Sequence, residues 1–391
     1  MADTPHPPPI KEQFVDGRPS GFEAVEESAA HGAPRAYNPE KIRVENKVFS
    51  LGQTLELIES KDLDLAPDFQ RRRVWTEAQK NLLIESLLLR IPLPAFYFFG
   101  DLEGKLHVLD GFQRLSTIYQ FVKGATDPTY GDSFHLCGRH LKYLKNLDQQ
   151  NHDALAQKWK RRIKQTQLVV NLIDPQTPEP IKMEIFSRIN TLGTALNAQE
   201  LRYGLSKNRS RSFLQKLADL PEFKRAAGDI ATTRMADLEL VLRFCFFKTN
   251  PPHEETAAEP FEDQLNQFTK ALDDPNRLKE TDLADLEVAF KKAMVNAAEI
   301  FGAHAFRKYP LESDDLKPLN KPLFDCLAVV LSDHDAADLG PAQARILARF
   351  REATTPGAAF EALITQETNT AANIIARFQQ CRDLVNAAVT S

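Results

Sequence analysis

Apolar and polar positions change their period twice along this chain. The first forty residues show no apolar period, and Pro5, Pro7, Pro8, Pro9, Pro19, Pro34 and Pro39 interrupt them. Such a stretch buries too little surface to offset its chain entropy, so residues 1–43 read as a disordered, proline-rich arm.

From Val44 to about Leu205 helix and strand signals alternate. Ser50-Leu-Gly-Gln53 has capping-box spacing and predicts a short helix over 54–60, with Leu55, Leu57 and Ile58 apolar. Thr76-Glu-Ala-Gln79 repeats the spacing and predicts a helix through Leu89, stopped by Ile91-Pro-Leu-Pro94. The runs 95–99 and 105–109 flank a loop bounded by Gly100 and Gly104, the pattern of a β-hairpin. A helix follows from Gly111 to about Val122, and 167–173 reads as a further strand. Near Gly193 a helix ends, and Asn197-Ala-Gln-Glu200 caps the next.

After Leu205 the strand signals nearly vanish. Apolar residues recur at helical spacing over 213–220, 238–247, 283–301, 323–331, 342–350 and 371–385, and 250–260 is an acidic, proline-broken loop. The expected fold class is α+β: an arm over 1–43, a mixed α/β domain over 44–205 and an all-α helical domain over 206–391.

Composition narrows the function classes. A chain of 391 residues has room for two cores. Its 49 Lys+Arg against 54 Asp+Glu give a formal charge of −5, which argues against a wholly basic nucleic-acid binder but leaves a local patch open. Cys137, Cys245, Cys326 and Cys381 have neither zinc-finger nor CxxC spacing and read as thiols of a reducing compartment. With no apolar run of spanning length and no signal-peptide pattern at the start, the expectation is a soluble, cytoplasmic protein without a membrane partner. HExxH, GxSxG and GxxxxGK[ST] are missing, which disfavours zincins, serine hydrolases and Walker-type NTPases.

Four stretches carry candidate chemistry. Val108-Leu-Asp-Gly-Phe-Gln-Arg114 runs from a strand into a helix, with Asp110 and Gln113 at capping-box spacing and Gly111 allowing close approach of a backbone or ligand. Arg114 in the first helical turn opposes the helix dipole; either a bound anion or a nearby carboxylate compensates it. Pro67-Asp-Phe-Gln-Arg-Arg-Arg-Val-Trp75 sets three arginines beside two aromatics, of which at most two can serve one site if the segment is extended. Arg188 and Asn190 lie near a helix end, which alone says little. Between Arg139 and Lys164 eight cations surround Trp159; Lys158, Lys160, Arg161 and Arg162 either track a phosphate backbone or form a solvated helix face.

In order, these pieces resemble the DUF262 family, the N-terminal module of GmrSD-type modification-dependent restriction enzymes. The stretches are PDFQRRRVW at 67–75, LLIESLLLRIPLPAFYF at 82–98, VLDGFQRLSTI at 108–118 and FSRINTLGTALNAQELR at 186–202, with RMADLELVLRF at 234–244 and KPLFDCLAVVL at 321–331 further on. The resemblance spans roughly 45–335 and implies a ParB/sulfiredoxin-like core with a nucleoside-triphosphate site at the strand-to-helix turn. It implies Asp110, Gln113 and Arg114 as catalytic residues. Gln70, Arg71, Gly111, Arg114, Arg188 and Asn190 are the implied nucleotide ligands, with Mg²⁺ bridging the phosphates. Phe112 stands where the commonest form has Gln, which bears on hydrolysis more than on binding.

No HNH nuclease pattern follows the module. The resemblance therefore implies a regulatory or sensor component of an anti-phage restriction system, with DNA and a separate nuclease subunit as candidate partners. The competing readings are a non-catalytic nucleotide-dependent switch that binds DNA or a partner, and a direct nuclease. The last is weakest, because no carboxylate cluster for two metals is visible.

Overall fold

The computed structural model describes residues 11–15, 18–25, 43–65, 75–101, 104–177, 181–182, 185, 188, 197–228, 230, 235–253 and 259–390. The chain divides into two compact units, Ala36–Gly204 and a second made of Met1–Arg35 with Leu205–Ser391. The second unit begins with a hairpin of β1 (Glu12–Val15) and β2 (Arg18–Glu23).

In the first unit β3 (Val44–Ser50) leads into α1 (Leu51–Glu59), β4 (Leu63–Asp64), α2 (Glu77–Leu89), β5 (Phe96–Gly100), β6 (Leu106–Asp110), α3 (Phe112–Lys123), α4 (Gln157–Gln165) and β7 (Gln167–Ile173); α5 (Ala198–Leu205) ends it. The strands form one mixed sheet of order β3-β7-β5-β6-β4. β3 runs antiparallel to β7, pairing Val44 with Ile173 through Ser50 with Gln167. β5 and β6 are the expected hairpin, while β5–β7 and β4–β6 are parallel. Alternation along β5 buries Phe96 and Phe98 beneath the helices and leaves Tyr97 and Phe99 half-exposed on the other face. Leu55, Ile84, Leu88, Leu115, Ile118 and Ile163 complete that core, each large side chain contributing about 2 kcal/mol.

Both predicted capping boxes form. Ser50 Oγ accepts the Gln53 N–H while the Gln53 amide oxygen accepts the Ser50 N–H, and Thr76 and Gln79 do the same. α2 stops at Arg90, whose backbone turns left-handed (φ 61°) ahead of the extended 91–95 stretch. Two buried polar groups of α2 anchor the irregular stretch beyond α3. Asn81 accepts the Cys137 N–H, and the Glu85 carboxylate accepts the N–H groups of Lys142, Tyr143 and Leu144 at 2.7–2.9 Å.

The second unit contains α6 (Asn208–Ala218), α7 (Pro221–Ala227), α8 (Ala236–Thr249), α9 (Phe261–Asp273), α10 (Glu280–Phe301), α11 (Lys321–Ser332), α12 (Gln343–Ala353) and α13 (Ala371–Val389). Its phenylalanine-rich core encloses an ionic cluster. Arg243 of α8 grips Asp325 of α11 with two bonds of 2.8 and 2.6 Å, and Arg377 of α13 adds a third at 3.2 Å.

The arm expected over 1–43 needs correction within 12–23. The hairpin is part of the helical unit: Phe22 is buried, and the Leu319 backbone bonds on both sides of it, to Gly21 and Glu23. Glu23 lies 2.8 Å from the buried ammonium of Lys308 and also accepts from Asn320. One aromatic and one carboxylate find partners three hundred residues away. A local apolar period cannot show this.

Candidate active site at the β6–α3 turn

The strand-to-helix turn forms where the sequence predicts it, with a different local logic. The helix begins one residue later than Asp110 as a cap would require. Gly111 is the cap residue, left-handed at φ 105°, and no side chain caps the turn. The Asp110 carboxylate is instead committed to the Arg114 guanidinium, one helical turn away at 2.9 Å. What Gly111 admits is the Phe96 ring of β5, which a Cβ at this position would overlap.

Arg114 is held from several sides. Besides Asp110, its guanidinium donates to the carbonyls of Pro94 and Ala95 and lies 4.1 Å from the centre of the Phe96 ring. Burial lowers its pKa, opposed by the charge and hydrogen bond of Asp110. In this state the carboxylate alternative describes Arg114: the side chain ties the start of α3 to β5. Its role as a phosphate ligand needs those bonds to be exchanged.

Of the other expected site residues, Gln113 is half-exposed on α3 and Arg188 is solvent-exposed in a helical segment. Gln70, Arg71 and Asn190 lie outside the described residues. The Asp110 carboxylate is paired with Arg114, and no group of three or more His, Cys, Asp or Glu suited to a metal is present among the described residues.

Gln113 opens instead onto a cleft that the sequence reading missed. About 450 Å³ in volume, it runs along the Phe112, Gln113, Ser116 and Gln120 side of α3 and includes Lys80 of α2. The Lys80 ammonium donates to the Gln120 amide oxygen at 2.8 Å and lies 5.7 Å from the Phe134 ring. Desolvation lowers its pKa, partly opposed by Glu77. The far wall is the 129–132 stretch, fixed by Asp127, which accepts from the Thr129 N–H at 3.0 Å and from the buried Tyr119 hydroxyl. The cleft thus combines one cation, two amides and the open first turn of a twelve-residue helix, a set able to hold an anion. In the sequence Lys80 is only one polar position of an amphipathic helix. Its approach to α3 is a tertiary fact.

The basic stretch divides. Arg162 donates to the Leu88 carbonyl at 2.7 Å, and Lys160 donates to the Asp153 carbonyl at 2.9 Å. Lys158 and Arg162 both sit 4.9 Å from the Trp159 ring. Lys158 and Arg161 keep their exposure on α4. Any phosphate tracking therefore falls to these two more than to Lys160 and Arg162.

The third motif caps as expected, Asn197 and Glu200 each accepting the other's backbone N–H at 2.8 Å. Arg202 donates to Gln199 at 2.8 Å within the same helix. Among the described residues no helix is long and apolar enough to cross a membrane. Residues 54–205 match the family described as GmrSD restriction endonuclease, N-terminal domain. The match bears out the resemblance over that stretch; the segments at 234–244 and 321–331 lie outside it. No curated protein matches the chain.

Proposed function

We propose that this protein, of which residues 54–205 match the GmrSD restriction endonuclease N-terminal domain, is a nucleoside-triphosphate-binding component of a restriction system. In this reading its α/β unit is a ParB/sulfiredoxin-like core. The observation that carries the proposal is the cleft beside α3, which both Gln113 and Lys80 line. Lys80 supplies the charge for a phosphate, the first-turn N–H groups of α3 supply directed donors, and Gln113 orients a phosphate oxygen or an attacking water. A Mg²⁺ ion carried by the nucleotide would neutralise part of the phosphate charge. Nucleotide state then governs DNA or a separate nuclease subunit, with Lys158 and Arg161 as the candidate DNA contacts.

One observation favours a second reading, the non-catalytic switch. Hydrolysis asks Arg114 to stabilise the transferring phosphoryl group, yet its guanidinium is occupied by Asp110 and two carbonyls. Lys80, whose described hydrogen bond goes to Gln120, has further N–H donors for a phosphate.

Phosphate release and binding with ATP, GTP, CTP and UTP, with Mg²⁺, with and without DNA, decide between them. Lys80→Met is expected to weaken binding about tenfold or more at an unchanged melting temperature. Multiple turnovers that Lys80→Met and Arg114→Ala both remove establish an NTPase. Binding without turnover leaves the switch, and absence of binding to every nucleotide overturns the proposal.

A further inference from the structure

β3 (Val44–Ser50) ends the sheet on one side, and among the described residues no strand pairs with its outer edge. Its backbone groups alternate between the two edges. The Arg43 carbonyl accepts the Asp174 N–H and the Leu51 N–H donates to the Thr166 carbonyl, so the odd-numbered residues turn toward β7. Val44, Asn46 and Val48 therefore aim their N–H and C=O groups outward, at exposed positions and without partners among the described residues. Such an edge is a template for another strand. No proline or bulge guards it, and its register with β7 runs unbroken from Val44 to Ser50. The side chains divide by face. Val48, 62 % exposed, pairs with Val169 of β7, 48 % exposed, on the face that also carries Val44. Glu45 and Lys47 share the other face, 3.1 Å apart.

We propose that β3 pairs antiparallel with β3 of a second copy of this chain, about a two-fold axis at Asn46, joining the two sheets into one. Charge selects both the partner and the register. With the axis at Asn46, Glu45 of each copy stands opposite Lys47 of the other, and Val44 opposite Val48. An axis at Glu45 sets that carboxylate against itself and Arg43 against Lys47, and an axis at Lys47 sets two ammonium groups face to face. Like charges directly opposite are destabilising. An axis at Val48 runs into Ser50, whose N–H is already taken by Gln53. With the axis at Asn46, the outward residues are the ones that pair: Asn46 with Asn46 and Val44 with Val48, each pair exchanging both N–H···O=C bonds. On the valine face, the Val169–Val48 pair of one copy continues into the Val44–Ile173 pair of the other, an apolar row across the junction. A strand of unrelated sequence gains the backbone bonds without the matched charges and valines. Two-fold closure consumes both free edges and stops growth at the dimer. One strand per copy is a small contact, so the dimer is reversible.

Sedimentation equilibrium of the full chain over roughly 1–200 μM should show the mass rising reversibly toward twice that of one chain. Glu45→Lys leaves only cations at the facing positions, and Lys47→Glu leaves only carboxylates. Each variant alone should weaken the dimer about tenfold or more. Mixing the two variants sets cations opposite carboxylates and should restore association. Neither variant regains the Glu45–Lys47 pair within its own chain, so rescue on mixing reports a contact between copies. Asn46→Pro removes an N–H that bonds no described residue, at an edge position where proline is tolerated. It should remove the dimer while the circular-dichroism melting temperature stays unchanged. The charge variants lie at exposed positions and carry the test if Asn46→Pro fails to fold. A chain that stays monomeric over the whole range overturns the proposal. So does a dimer indifferent to Glu45→Lys and Lys47→Glu, or a mixture of the two that fails to associate.

Discussion

Gly111 shows how one residue serves two constraints. Its φ of 105° lies where a side chain is strained, and the space a Cβ needs is filled by Phe96. Gly111→Ala therefore meets backbone strain and overpacking together, for an expected loss of about 3 kcal/mol in urea unfolding. The same displacement disturbs Arg114, which rests against the Phe96 ring. Nucleotide binding in this variant should weaken along with stability, whereas Lys80→Met should separate the two. Asp110 illustrates the opposite lesson. The spacing to Gln113 reads as a cap, yet a guanidinium one turn along is a stronger partner for a carboxylate than a backbone N–H.

At the scale of elements, α2 organises the α/β unit from within. Glu85 sits on its buried face and collects three consecutive N–H groups from residues 142–144. Burial pushes the Glu85 carboxyl up, but the bonds from Leu144, Lys142 and Tyr143 together outweigh it and hold it below the usual glutamate range. A carboxyl depressed on folding contributes stability above its unfolded value, near pH ~4.3, and loses it as pH falls through the folded value. Glu85→Gln retains one acceptor oxygen and should cost about 2 kcal/mol at neutral pH. Denaturation at a series of pH values should show the difference from the parent protein shrinking below about pH 4. A constant difference would mean that the charge contributes nothing.

For the whole molecule, the two units allow separate readouts. Both tryptophans, Trp75 and Trp159, belong to the α/β unit, while Glu23 and its partner Lys308 belong to the helical one. Glu23→Gln weakens a buried ion pair and should destabilise the helical unit by about 3 kcal/mol. Far-UV circular dichroism, dominated by helices, should then melt earlier while tryptophan fluorescence keeps its midpoint. A shift of equal size in both signals would mean that the units unfold as one. The hairpin also shows why compositional reading of the first forty residues falls short. Its anchors are two side chains in a stretch whose average composition is that of a coil.

Read from the sequence alone, the capping boxes, the β5–β6 hairpin, β7, the long helices and the glycine turn into α3 were all legible. Each depends on residues within a few positions of one another, so spacing carries the physics. The family resemblance was legible for the same reason, as an ordered set of such local motifs. Only the tertiary structure decided which carboxylate holds Arg114, where Glu85 spends its charge, and that Lys80 faces α3. It alone docked the hairpin at Lys308. Those arrangements join residues separated by tens to hundreds of positions. They follow from how apolar faces pack and bury polar groups together, and a one-dimensional pattern does not contain that information.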